Sequence, residues 1–465
     1  MSELKIIARH ASTVLVGQLA VMAFGVADTV IAGRYSDTAL AALSVGSAIY
    51  ISVYVGLMGI VQALLPIWAE LLGAGQHAAI GKSLRQSLYL GSFITLAGVT
   101  ALLFPEALLS WAQVPASMLV EVQNYLAVLA FAFVPALLFR LYSTFNQSLG
   151  KPLLVTWLQL GALGVKVPLS IWFVAGGAGL EPMGAVGCAW ATLVVNYLLL
   201  AFCIVMLRTQ ALYRPFRIWR RMESPDWPVI ASFARLGIPG GLAYLVEITS
   251  FTLMALFIAR LGTAASASHQ IAASMAAVLY MMPLSIAIAC SARTSFWLGA
   301  GKPDQAKRVV LLGFWFAAFI SMALAATLFI AKGSLAALYS ASPAIIALAS
   351  TLLGWVALYH LADSAQTICA FLLRCYRITI APLVLYGVLL WGLGLYGGYV
   401  LTYQGFSSVQ PSGTPVSFWV AGTFALVCVA VCFIALLARA VGQSQKAIRA
   451  SEQIRQSGEH GRPEM

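Results

Sequence analysis

The chain has 465 residues; 61% are hydrophobic and only 9% charged, with 27 Lys and Arg against 15 Asp and Glu. Soluble domains are about 45–50% apolar and about 25% charged, so a chain with this little charge to solvate a surface is not a soluble globular, disordered or nucleic-acid-binding protein. A membrane span takes about 20 apolar residues, which leaves room here for roughly 12 to 15 spans. The apolar runs are continuous rather than alternating, against a transmembrane barrel.

Twelve apolar runs are predicted as helices, and each is long enough to cross a bilayer. The first, near residues 11–34, follows Lys5 and Arg9. It is too long for a signal-peptide core and reads as an uncleaved span. Runs near 41–68, 87–109, 122–148, 153–175 and 184–207 complete a first half. Breaks within it fall at Phe104-Pro105-Glu106 and at Leu149-Gly150-Lys151-Pro152. A polar stretch from Arg208 to Pro228, rich in Arg, separates this half from the next. The second half has runs near 233–259, 266–297, 309–331, 344–373, 380–403 and 416–439, interrupted by Gly299-Ala300-Gly301-Lys302-Pro303 and by residues 408–415. The domains are therefore expected at 1–215 and 216–440. A polar, helical, cytoplasmic tail is expected over 441–465. The seven cysteines form no CxxC pair and read as small buried apolar residues.

Basic residues favour one side of this topology. The N-terminus, even-numbered loops and C-terminus hold about 23 Lys and Arg, and the odd-numbered loops hold Arg34, Arg260 and Lys332. Positive loops stay cytoplasmic, so both termini are expected inside, as an even number of spans requires. An internal repeat supports the division into six and six. Leu72-Gly73-Ala74-Gly75 recurs as Leu298-Gly299-Ala300-Gly301, an offset of 226, and the same offset carries Arg34 onto Arg260. Two parallel six-helix bundles of this kind are related by a pseudo-two-fold axis along the membrane normal.

An ionisable side chain at the bilayer centre costs about 2.5–3.5 kcal/mol on insertion scales and points to function. Four lie well inside the runs: Asp28, Lys166, Glu247 and Asp363. Asp363 has Tyr359 four residues before it and Gln366 three after it on one helix face, and the Tyr359 ring can offer a π-face to a cation. Buried carboxylates suit the exchange of H⁺ or Na⁺ for a cationic substrate. Three readings of Lys166 stand open: a partner of Asp28, a side chain snorkelling to the cytoplasmic face, or a neutral, proton-linked lysine. His360 and His269 read as helix-face histidines, with a proton-shuttle role for His360 as the alternative. Glu70 reads as an interfacial residue.

The chain resembles the multidrug and toxic compound extrusion (MATE) family, on its NorM-like branch. The first half carries Val26-Ala27-Asp28-Thr29-Val30-Ile31-Ala32-Gly33 and Met183-Gly184-Ala185-Val186-Gly187-Cys188-Ala189-Trp190-Ala191-Thr192. The second carries Leu236-Gly237-Ile238-Pro239 before Glu247, His269-Gln270-Ile271-Ala272, and Asp363 before Leu373-Arg374. The resemblance implies two six-helix bundles forming a V-shaped cleft, in a protein that exports organic cations in exchange for Na⁺ or H⁺. It implies that Glu247 and Asp363 form the cation-coupling site, one that can take Na⁺, with Tyr359 beside it. Asp28 matches the first-span aspartate of the N-terminal half. Lys166 and Ser170 stand where relatives usually carry asparagines that join that aspartate, so the N-terminal half departs here from the family pattern. After Leu373-Arg374 the usual glycine is replaced by Cys375.

The resulting expectation is a secondary-active multidrug efflux antiporter of the bacterial inner membrane. It would be a monomer that takes small lipophilic cations, needs no cofactor beyond the coupling ion, and is not an enzyme. One rival is a lipid-linked saccharide flippase, disfavoured on a count of three acids and one base inside the spans. The other is a membrane-embedded enzyme, for which no HExxH-type motif or histidine pair appears.

Overall fold

The computed structural model describes residues 2–111, 115–177, 179–405 and 410–460, with side chains as far as residue 446 except at 111, 116 and 117. Among these residues are twelve helices long and apolar enough to cross a membrane. They are α1 (Glu3–Tyr35), α2 (Asp37–Gly73), α3 (His77–Leu103), α4 (Met118–Ser148), α5 (Leu153–Ala175) and α6 (Ala185–Thr209), then α7 (Trp227–Ala259), α8 (Thr263–Gly299), α9 (Pro303–Tyr339), α10 (Pro343–Cys375), α11 (Ile380–Gln404) and α12 (Val416–Lys446). Each corresponds to one expected run. The third run differs at both ends. Proline cannot continue a helix, so α3 stops at Leu103, and a separate short helix, Glu106–Trp111, follows Pro105. The helix that begins α12 continues to His460, through most of the expected tail. Residues 406–409 of the expected break and 461–465 of the tail lie outside the described residues.

Prolines act unevenly. Pro135, Pro168, Pro239 and Pro283 stand inside unbroken helices. In α2, the ring of Pro66 would meet the carbonyl of residue 62, and the helix is interrupted there, ending one segment at Gln62 and resuming at Leu64. In α11, the turns over Gly387–Tyr396 and Val400–Gln404 widen to π-helix.

The helices form two compact units. The N-terminal unit comprises Ser12–Trp68 and Gln76–Leu245; the C-terminal unit comprises the chain up to Ala11, the segment Ala69–Gly75, and the chain from Val246 onward. In the first, α4 is the central helix and packs against α2, α3 and α6. In the second, α10 is central and packs against α8, α9 and α12. Those helices are the repeat equivalents of one another, so the two units share one packing plan.

The repeated Leu-Gly-Ala-Gly motif has a packing explanation within the C-terminal unit. A Cβ on Gly73 would lie 1.9 Å from the carbonyl oxygen of Phe296, and a Cβ on Gly299 would lie 1.9 Å from that of Glu70. Residue 296 is residue 70 advanced by the repeat offset of 226, and 299 is 73 advanced by the same amount. The two contacts are thus exchanged by the repeat offset, and only glycine allows backbones so close.

The segment linking α6 to α7 is tied to the start of α3. Arg85 forms a two-pronged bond to Glu223, with Nε at 2.7 Å and Nη2 at 2.5 Å, and also donates to the Arg217 carbonyl at 2.9 Å. Gln86 and Tyr89 hold the linker backbone at Ser224 and Glu223, and Lys82 pairs with Asp226 at 3.1 Å. The guanidinium holds the Glu223 carboxyl down at about 2.

Candidate functional site

The N-terminal unit resolves the choice over Lys166. Its ammonium lies 2.9 Å from Asp28 Oδ2, with the lysine 1% exposed. Lys166 also donates to Thr192 Oγ1 at 2.7 Å, and Thr192 in turn donates to the Cys188 carbonyl at 2.9 Å. Ser170 donates to Asp28 Oδ1 at 3.0 Å. Both carboxylate oxygens of Asp28 therefore have partners on α5. Spacing explains the pair of contacts: Lys166 and Ser170 are one helical turn apart on one face. The N-terminal site is thus an internal ion pair, neutral in sum.

In the C-terminal unit, Glu247 on α7 lies within electrostatic reach of Asp363 and of Arg374, both on α10. Asp363 is buried, and Gln366 Nε2 donates to its Oδ1 at 2.9 Å. Gln366 is fixed in turn by Thr367 and by the Tyr386 hydroxyl, which donates to its carbonyl oxygen. Next to Glu247, the Val246 carbonyl accepts from Trp391 Nε1 at 3.1 Å, which ties α7 to α11.

Tyr359 belongs to a closed trio of rings. It meets Phe251 edge-on at 5.9 Å and Trp419 at 5.7 Å, and those two meet each other at 6.3 Å. His269 packs against Trp419 at 5.8 Å. Ser250, Phe251, Met254, Tyr359, Phe418 and Trp419 border a cavity of about 30 Å³, enough for about two waters. His360 is buried on the same helix as Tyr359, and among the described residues neither of its ring nitrogens has a partner. Glu70, read as interfacial, pairs with Arg377 within the same unit.

Two buried bases correct the sequence reading. Arg140, counted there with the cytoplasmic loops, is 8% exposed inside α4, and Arg374 is 6% exposed inside α10. Among the described residues the helices thus bury four bases, Lys166, Arg140, Arg374 and Arg85, the last 5% exposed on α3, and the charge count no longer argues against a flippase. Arg140 and Arg374 sit near the ends of apolar runs, where sequence cannot separate a loop residue from a buried one. The repeat gives a hint: the offset of 226 carries Arg140 onto Gln366, the residue that holds Asp363.

Comparison with known proteins decides the family. The MatE family model matches residues 14–172 and 239–400. The chain belongs to the MatE family. A relative from Aromatoleum aromaticum named "Probable multidrug resistance protein NorM" is 37% identical over 91% of each chain. The "Multidrug resistance protein PmpM" of Pseudomonas aeruginosa is 30% identical over 97% of this chain and 94% of its own. The solved eukaryotic MATE transporter AtDTX14 superposes with a TM-score of 0.83 at 17% identity, covering 96% of this chain and 99% of its own, which shows the shared MATE fold. The NorM-like branch is borne out, and with it a multi-pass membrane protein whose similar sequences are bacterial.

Proposed function

We propose that this MatE chain is a secondary-active multidrug efflux antiporter that exports lipophilic organic cations in exchange for Na⁺ or H⁺. It is a transporter and not an enzyme. The observation that carries the reading is the carboxylate pair Glu247 and Asp363, placed within electrostatic reach of each other in one helical unit. Two carboxylates sharing a site repel when both are charged, so one favours taking up a proton or a metal cation. A Na⁺ or H⁺ loaded there neutralises charge that would otherwise attract a cationic drug. Ion and drug then favour different states of the carrier, the condition any antiporter must meet.

The N-terminal half takes no coupling ion in this scheme. The ammonium of Lys166 already stands where a cation would sit against Asp28, so that pair supports the bundle while Glu247 and Asp363 couple. The bias of basic loops supports both termini in the cytoplasm and residence in the inner membrane. The protein acts as a monomer in this reading, each chain carrying both units.

Ethidium efflux from everted or intact cells tests the proposal, with and without a Na⁺ gradient at fixed pH. Wild type is expected to export the dye under one of the two gradients. Glu247→Gln and Asp363→Asn are expected to abolish gradient-driven efflux at unchanged expression. Undiminished driven efflux by either variant would overturn the assignment.

A further inference from the structure

The antiport scheme makes no use of the linker between α6 and α7. The stretch from Arg208 to Pro228 holds five arginines, Arg208, Arg214, Arg217, Arg220 and Arg221, and two acids, Glu223 and Asp226. Both acids are already matched, by Arg85 and Lys82 of α3. The five arginines are exposed, and among the described residues none of them forms an ion pair. Positive charge in a loop is enough to set the orientation of a span, and it needs no fixed geometry to do so. This linker has one.

Two aromatic side chains anchor it to the N-terminal unit. Ala211–Phe216 winds into a short 3-10 helix in which Tyr213 and Phe216 are buried, 2% and 4% exposed. The Tyr213 hydroxyl donates to Asn146 Oδ1 at 2.7 Å and accepts from the Tyr142 hydroxyl at 3.0 Å. The Phe216 ring meets Phe145 edge-on at 5.5 Å. A Cβ on Gly81 would lie 1.8 Å from the Phe216 carbonyl oxygen, so the linker backbone lies directly against α3. The chain then turns at Arg217, whose φ of 49° is left-handed and whose carbonyl Arg85 holds. With these rings buried and its acids spent on α3, the linker leaves its guanidinium groups outside. Trp219 stays among them. Its ring is 52% exposed, its Nε1 donates to the Leu207 carbonyl at 3.1 Å, and the Arg208 guanidinium lies over it at 4.6 Å. Trp227, 60% exposed, opens α7. Exposed indoles at span ends sit at headgroup level, so the arginines beside them stand at the height of lipid phosphates.

We propose that the linker face formed by these five arginines and Trp219 is a docking surface for the headgroup of an anionic phospholipid. Charge complementarity selects the occupant: the planar guanidinium fork matches two phosphate oxygens at once, and a cluster of bases directly beside a span attracts anionic lipid. The lipid supplies the counter-charge that the chain does not, and Tyr213 and Phe216 fix the face that holds it to α3 and α4. The inference stands apart from the antiport reading, because it concerns what surrounds the transporter rather than what passes through it.

The probes are palmitoyl-oleoyl phosphatidylglycerol, which is anionic, and phosphatidylcholine with the same chains, which is neutral in sum. The full-length protein, delipidated in an uncharged detergent, is titrated with an equimolar mixture, and bound lipid is counted by native mass spectrometry. Each base near an anionic surface strengthens binding roughly five-fold. Wild type is expected to take phosphatidylglycerol first, by more than about ten-fold over phosphatidylcholine. Arg214→Gln/Arg217→Gln/Arg220→Gln/Arg221→Gln is expected to bring the two lipids to within about two-fold of each other. The control Lys151→Gln/Lys302→Gln/Lys307→Gln/Arg308→Gln removes four exposed bases elsewhere on the basic side of the topology, and it is expected to keep the wild-type preference. Glycerol phosphate, the headgroup without its chains, is expected not to displace the bound lipid at equal concentration. No preference in wild type, equal loss in the two variants, or displacement by glycerol phosphate, which would assign the face to a soluble anion, would overturn the proposal. The wild-type preference and the displacement test hold even if a variant fails to fold.

Discussion

The pairing of Asp28 with Lys166 makes a quantitative prediction. The charged atoms are 2.9 Å apart, and the side chains are 11% and 2% exposed. At an effective dielectric of about 20 their gross attraction is about 6 kcal/mol. Most of this offsets the cost of removing two ions from water. Removing one partner strands the other, and breaking a buried pair this way costs about 3–5 kcal/mol. Removing both restores neutrality. Asp28→Asn and Lys166→Met are each expected to lower the thermal midpoint of the detergent-solubilised protein substantially. The double variant is expected to recover most of the loss, with an interaction energy of about 2–3 kcal/mol in the cycle. The Asn retains an acceptor for Ser170, so the cycle isolates the ionic contact. Strictly additive losses would refute the ion pair and favour a lysine that acts independently of Asp28.

Other consequences follow from the same geometry. Gly73→Ala and Gly299→Ala each drive a methyl group into a backbone carbonyl 1.9 Å away, and each is expected to reduce the yield of folded protein, read by size-exclusion chromatography; normal yield of both would contradict the reciprocal crossing. The Glu223 carboxyl is held at about 2 by Arg85, below its ordinary value of about 4.3. A depressed carboxylate adds stability above its unfolded pKa that is lost as pH falls through the folded one. The Arg85 clamp is therefore expected to weaken between roughly pH 4.5 and 2, and Glu223→Gln is expected to remove that part of the acid transition in a melting series. Tyr359→Ala opens the trio with Phe251 and Trp419 and is expected to cost about 3 kcal/mol of stability by cavity formation, whereas Tyr359→Phe keeps the ring packing and is expected to stay within about 1 kcal/mol.

Much of the fold was legible in the sequence because each span must satisfy its own backbone in lipid. The run lengths, the Arg-rich linker and the repeated Leu-Gly-Ala-Gly motif led to twelve spans in two sets. Proline was the least certain signal: Pro105 ended a helix, Pro66 interrupted one, and four others were absorbed. The candidate site was legible in part. Asp363 and Gln366 share a helix face, so their bond was within reach of spacing alone. The contact between Lys166 and Asp28 joins α1 to α5, and spacing within one helix says nothing of the rotation of another. Arg140 was missed for a related reason, since depth near the end of an apolar run is set by packing against neighbouring helices. The wide turns of α11 left no periodic trace.

The central claim is that Glu247 and Asp363 alone carry the coupling ion. It is tested most directly by the ion that drug binding displaces from the purified protein. Proton release is read with a pH-sensitive dye in weak buffer, and sodium release with ²²Na⁺, on adding ethidium. One of the two ions is expected to leave the wild-type protein. The Asp28→Asn/Lys166→Met variant is expected to release the same amount, and Asp363→Asn and Glu247→Gln to release none. Release that survives in Asp363→Asn and Glu247→Gln, or that disappears with the Asp28–Lys166 pair, would contradict the account.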